Sequence, residues 1–146
     1  MILWRISRHH DLSGAGGLRT PGHWHHAGDP VVYLAGSPAA ALLEVCVHTA
    51  RGDIPPDFTL LKIEGPDAGI PAVEIADLPK DWRVRFDITR DIGTTWLRSQ
   101  QSTLFRVPSA VAPETANFLF NPRHPSAREF HIAEILLYPF DRRLKE

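Results

Sequence analysis

Residues 31–52 read VVYLAGSPAAALLEVCVHTARG, and the pattern of this stretch changes in its middle. "VVYLA" (31–35) is β-branched and aromatic between Pro30 and Gly36, which predicts a short strand. Ser37 is then a good N-cap and Pro38 suits a first helical position. The apolar run from Ala39 continues as a helix until Arg51 and Gly52 stop it. A strand that turns straight into an apolar helix places one carboxylate, Glu44, between Leu43 and Val45. That carboxylate either lies on a solvated face, paired with His48 one turn on for a few tenths of a kcal/mol, or is partly buried for a purpose. Tyr33, taken alone, reads as a core or sheet-face tyrosine.

Further strands are expected at 2–7 (ILWRIS), 58–64 (FTLLKIE), 71–76 (PAVEIA) and 130–140 (FHIAEILLYPF). Another is expected in TLFRVPSAV (103–111), broken or at an edge because of Pro108. A second helix is expected over 90–101 despite Gly93, and NFLFNPRHPSAREF contains a turn-rich loop. With no repeat or linker, the chain reads as one α+β domain over 1–146, with mixed or antiparallel sheets and few helices. Residues 9–30 form a loop too long for a mere connection, and such loops in compact domains are usually functional.

That loop contains "SGAGG" (13–17) and "GHWHH" (22–26), which raises two chemistries. A metal would need His23, His25 and His26 on one curled segment, with Asp29 the one carboxylate nearby; ordinary loop imidazoles are the simpler reading. A phosphate would find neither a P-loop nor a dinucleotide fingerprint. No Gly-Lys-Ser/Thr follows, Arg19 stands where a third glycine belongs, and Pro21 prevents a helix from opening there. The glycines still leave backbone N–H groups free to gather around an anion.

Composition narrows the classes. In 146 residues the chain is 43% hydrophobic and 23% charged, with 16 basic against 17 acidic residues. These are the proportions of a soluble globular domain, without the bulk positive charge of a nucleic-acid or membrane-surface binder. The lone Cys46 excludes an intramolecular disulfide and a cysteine-rich zinc site. No leader pattern follows Met1 and no apolar run reaches the ~20 residues of a membrane helix, so a cytoplasmic location is expected.

The order of residues in LSGAGGLRTPGHWHHAGDPVVYLAGSPAAALLEVCVH (12–48), followed by VPSAVAPETANFLFNPRHP (107–125), resembles the RES-domain family. Its members are toxins of bacterial toxin–antitoxin pairs, named for a characteristic Arg, Glu and Ser. The resemblance runs from "WRI" (4–6) to "HPSA" (124–127). It implies a fold similar to ADP-ribosyltransferases and an activity that consumes NAD+ as substrate, with no further cofactor and no metal. Carried over by position, Glu44 and Tyr33 are the catalytic pair, and Arg5, Ser109 and Asn121 contact NAD+, with His23 or Arg19 in place of the family's arginine. The resemblance also implies a cognate Xre-like helix-turn-helix antitoxin that blocks the cleft, with loop 9–30 as its natural contact. A protein target for ADP-ribose, self-association and a mixed toxin–antitoxin assembly all stay open; direct nucleic-acid and membrane binding are not expected.

The chemistry is coherent. Splitting nicotinamide from ribose passes through an oxocarbenium-like centre, and the leaving group departs neutral, so one carboxylate suffices without a general acid. Tyr33 offers a flat face to nicotinamide, Arg5 a planar donor to diphosphate or ribose, and Ser109 a short donor. One departure stands out: the family usually has Gly-Arg-Trp where this chain has Gly22-His23-Trp24. If His23 stands in for an arginine that grips diphosphate, His23→Arg is expected to raise kcat/KM roughly ten- to hundred-fold. Mild acid should mimic it by protonating the imidazole near ~6.5. A ribonuclease-type toxin and a non-catalytic or metal-binding module are the alternatives, the first drawing on the basic patches RHPSAR and DRRLK.

Overall fold

The central strand–turn–helix forms as its residues dictate. Strand β2 (Val32–Ala35) passes through Gly36 into helix α1 (Pro38–His48), and the Ser37 hydroxyl accepts the Ala40 N–H at 3.1 Å. The computed structural model describes residues 1–67 and 69–145. In chain order the other elements are β1 (Ile2–Ile6), β3 (Asp57–Glu64), α2 (Phe86–Ser99), β4 (Leu104–Pro108), β5 (Ala116–Phe120) and β6 (His131–Pro139). The strands make one six-stranded sheet ordered β4-β5-β2-β1-β3-β6, and every pairing is antiparallel. The α+β expectation holds, with an antiparallel rather than mixed sheet.

Three details differ from the sequence reading. Residues 71–76 do not form a strand: Ala72 alone bridges Arg106, and Ile75–Asp77 is a 3-10 turn. Strand β5, not expected from sequence, takes up ANFLF, and the turn-rich loop of that segment begins after it at Asn121. Helix α2 begins at Phe86, before the expected 90, and ends at Ser99, capped by Gln100, whose φ of 56° is left-handed. Pro108 does end an edge strand, as expected of a residue that cannot donate to a ladder.

Alternation assigns the two faces. On one, Leu3, Val32, Leu34, Leu61, Ile63, Leu104 and Phe120 pack with Phe130. On the other, Phe105, Val107 and Leu119 pack with Trp96 and Leu97 of α2 and with Trp24 and Trp82. Trp4, Ile6 and Ala35 meet Ala40 and Ala41 of α1 on that same side. Both helices therefore cover one face.

Strands β1 and β3 stay in register along all of Ile2–Ile6, whereas β1 meets β2 only at Trp4–Ala35. Arg5 and Ile6 have no β2 partner, so the sheet opens at this end. The opening is where the site lies.

Candidate functional site

A cleft of about 1100 Å³ enters between β1 and β2, slightly above the usual range for ligand sites. Trp4, Tyr33, Glu44, His48, Asn117 and Arg90 line it, with loop 9–25 as its outer wall. Arg5 and Arg19 also reach it. Arg5 gives one guanidinium N–H to the Asp11 carbonyl at 3.0 Å, and Arg19 is exposed at the rim.

Glu44 is the best-held side chain in the cleft. Ser109 Oγ donates to its Oε1 at 3.0 Å, Asn117 Nδ2 donates to the same oxygen at 3.0 Å, and His48 Nε2 lies 3.4 Å from Oε2. The direction of the serine bond is fixed by its other partners. The Val111 and Ala112 N–H groups both donate to Oγ at 3.2 Å, which leaves the single O–H for Glu44. Burial works to raise the Glu44 carboxyl, but the hydrogen bonds from His48, Asn117 and Ser109 outweigh it and hold it below its ordinary value. The carboxylate is thus half-buried, ionised and aimed into a cleft. Helix α1 puts it there because the buried stripe of Ala40 and Ala41 turns the Glu44 side toward β5.

Tyr33 is held equally firmly. Its hydroxyl accepts the Trp24 N–H at 3.1 Å and lies 2.8 Å from His25 Nδ1. The Gly22 N–H also donates to that nitrogen at 3.1 Å, so Nδ1 is the unprotonated acceptor and Tyr33 donates to it. The ring proton sits on Nε2, 3.2 Å from the Gly17 carbonyl. Burial pushes the His25 pKa down, in keeping with this neutral tautomer. The Tyr33 hydroxyl is therefore committed to the loop, and the phenol ring itself is what faces the cleft. Gly22 is required here, since any Cβ would overlap the Tyr33 hydroxyl. Replacing His25 with leucine should strand the Tyr33 O–H and cost about 1–3 kcal/mol in urea denaturation, with His25→Asn recovering part of the loss through its carbonyl.

The three loop histidines separate. His25 serves Tyr33, His26 pairs with Asp91 at 2.6 Å, and His23 lies among Trp24, Trp82 and Phe86 with ring centroids 5.0–6.0 Å apart. Among the described residues no group of three or more His, Cys, Asp or Glu stands together as a metal set. Burial, then the Arg90 cation, lowers the His23 pKa, so recharging the imidazole takes a pH below the ordinary ~6.5. Two further assignments change. Ser109, only 2% exposed, binds Glu44 instead of facing a ligand. Asn121 does not line the cleft: its amide donates to Leu97 O at 3.1 Å and accepts Arg123 N–H at 3.0 Å, tying the turn after β5 to α2. Asn117, His25 and Arg90 were missed. Each is set by a contact dozens of residues away or by loop closure, for which "TANF" and "DITRD" carry no local signal.

The described residues thus form one compact sheet-and-helix unit whose cleft holds an ionised carboxylate beside an aromatic ring, an arrangement suited to a small ligand. Comparison narrows the reading. A model of the RES domain matches residues 2–141. "Toxin Res" of Pseudomonas putida is 48% identical over 134 residues, covering 90% of this chain and 92% of that protein. The "Prs ADP-ribosylating toxin" of Sphingobium is 37% identical over 92% of this chain and 86% of its own length. A chain in the crystal structure of the M. tuberculosis MbcT-MbcA toxin-antitoxin complex superposes with a TM-score of 0.74 at 17% identity, over 99% of this chain and 86% of that one. The chain belongs to the RES-domain family and is one of its toxins. No helix among the described residues is long and apolar enough to cross a membrane.

Proposed function

We propose that this toxin cleaves the nicotinamide–ribose bond of NAD+ in the cleft between β1 and β2. The observation that carries the reading is the Glu44 carboxylate, kept ionised against burial by His48, Asn117 and Ser109, in the cleft where a cationic centre would develop. The name of the Sphingobium relative supports ADP-ribose chemistry. In the step itself the C–N bond breaks heterolytically, and its electron pair leaves on the pyridinium nitrogen, so nicotinamide departs neutral. Positive charge then spreads over the ribose carbon and ring oxygen, where Glu44 stabilises it. The Tyr33 ring, immobilised by His25 and Trp24, supplies a flat wall for the leaving group. ADP-ribose passes to water, phosphate or a protein side chain.

The partner in this reading is an antitoxin, supported by the neighbour that was solved in a toxin-antitoxin complex. An Xre-like helix-turn-helix protein that lays a segment over loop 9–25 and closes the cleft is the finer form of the proposal. The test of the activity is direct. Purified protein is incubated with NAD+, with and without phosphate and cell lysate, and the ADP-ribose product is identified by mass. Release of nicotinamide is expected, and the mass identifies the acceptor. NAD+ that stays intact under every condition overturns the reading.

A further inference from the structure

We infer that Arg90 is the anion anchor of the cleft, a guanidinium that takes the diphosphate group of a nucleotide ligand. Arg90 comes from α2 and lines the same cleft as Glu44 and Tyr33. Its Nε donates to the Gly22 carbonyl at 2.8 Å, and its planar head lies 4.8 Å from the centre of the Phe86 ring. These two contacts fix the plane of the group without neutralising it. Both Nη atoms are left over, and among the described residues no carboxylate stands within ion-pair distance of Arg90. Of the neighbouring arginines, Arg85 and Arg98 each have one, whereas Arg83 is exposed and bonds only to the Ala110 carbonyl. A partly buried, immobilised and unpaired guanidinium on the wall of a ligand-sized cleft is uncompensated unless an anion arrives. Its planar fork suits the oxygens of a phosphate, and a diphosphate offers several.

The other cations of the cleft are less suited. Arg5, bonded to the Asp11 carbonyl, already lies in the field of the Asp11 carboxylate, Arg19 is exposed on the loop with no side-chain partner among the described residues, and burial lowers the His23 pKa. The bond to the Gly22 carbonyl places the Arg90 charge close to the loop turn 22–25. It also bears on the His23→Arg substitution. A second guanidinium there would meet Arg90 within the ring cluster of Trp82 and Phe86, so the gain in NAD+ use expected from sequence is replaced by no gain or a loss.

This inference rests on a nucleotide occupying the cleft, as proposed above, but binding tests it without turnover. ADP-ribose carries the diphosphate, and nicotinamide carries none. In calorimetry the wild type should bind ADP-ribose with an affinity that weakens as salt rises. Arg90→Gln, whose amide can still reach the Gly22 carbonyl, should weaken ADP-ribose roughly ten- to hundred-fold while leaving nicotinamide binding unchanged. Arg90→Lys keeps the charge without the fork and should fall between. ADP-ribose binding that Arg90→Gln leaves intact, or a wild type that does not bind ADP-ribose, overturns the assignment. So does an equal loss of both ligands together with a lowered Tm, since the arginine would then only hold the loop. If ADP-ribose binds through Arg90 while NAD+ is never cleaved, the anchor stands and the proposed reaction fails.

Discussion

Replacing Glu44 with glutamine should reduce NAD+ cleavage by about 10²–10³-fold with little change in fold, a loss of roughly 3–4 kcal/mol of transition-state stabilisation. The variant is informative because the amide keeps a carbonyl oxygen where Oε1 now accepts from Ser109 and Asn117. Only the negative charge and the His48 contact are lost, and the contact joins an exposed imidazole. Steady-state kinetics should place the loss in kcat, with KM little altered, because the charge acts on a centre that becomes cationic only as the bond breaks. The pH profile gives a second reading. The Glu44 pKa is depressed, so its carboxylate is present above the ordinary glutamate range and is lost only as pH falls through the lowered folded value. The wild-type activity should therefore fall on an acid limb below ~4.3, and that limb should be missing from the residual activity of Glu44→Gln. Turnover near the wild-type rate in the variant would return Glu44 to the role of a helix-surface carboxylate paired with His48.

How far this site was legible in the sequence depends on the range of the forces involved. Ser37 and Pro38 act within one turn, and they start α1 where they should. Pro108 acts on its own N–H, and it ends an edge strand. Glu44 and Tyr33 were readable through the resemblance, and the fold does bring them to one cleft. What holds them was not readable. Ser109 and Asn117 lie 65 and 73 residues from Glu44, and the sheet order that unites them runs through crossovers no periodicity encodes. Asn121 misled for a related reason. An Asn before a proline in a turn looks the same in sequence whether its amide faces a ligand or, as here, a helix carbonyl. The segment 71–76 has alternating apolar residues suited to a strand. The adjoining edge is engaged only by backbone bonds around Arg106, and the chain turns away at Ile75.

Gly93→Ala should destabilise the protein by about 3 kcal/mol, lowering Tm by roughly 10 °C, although in the interior of an exposed helix the same change would stabilise by about 1 kcal/mol. The sequence presents Gly93 as a flaw in α2, and the structure gives it a purpose. A Cβ at this position would fall on the carbonyl of Trp24, which is backbone and has no rotamer to move aside. The neighbouring contacts show how closely loop and helix are joined. Thr89 Oγ1 donates to the His23 carbonyl at 2.7 Å, Thr94 Oγ1 accepts the His26 N–H at 2.9 Å, and Arg90 holds the Gly22 carbonyl. Glycine lets the segment 22–26 lie directly on α2, so the wall of the cleft is built on helix backbone. Relief of the clash must lift that segment as a unit. The Trp24 N–H would then leave the Tyr33 hydroxyl, His25 would lose its place, and the Arg90 guanidinium would lose the carbonyl that orients it. Activity should accordingly fall along with stability, mostly as a rise in KM, and the fluorescence of the Trp24–Trp82 cluster should shift toward that of solvated indole. A Gly93→Ala protein as stable as the wild type would show that loop 22–26 yields without cost, and the rigid wall assigned to this cleft would have to be abandoned.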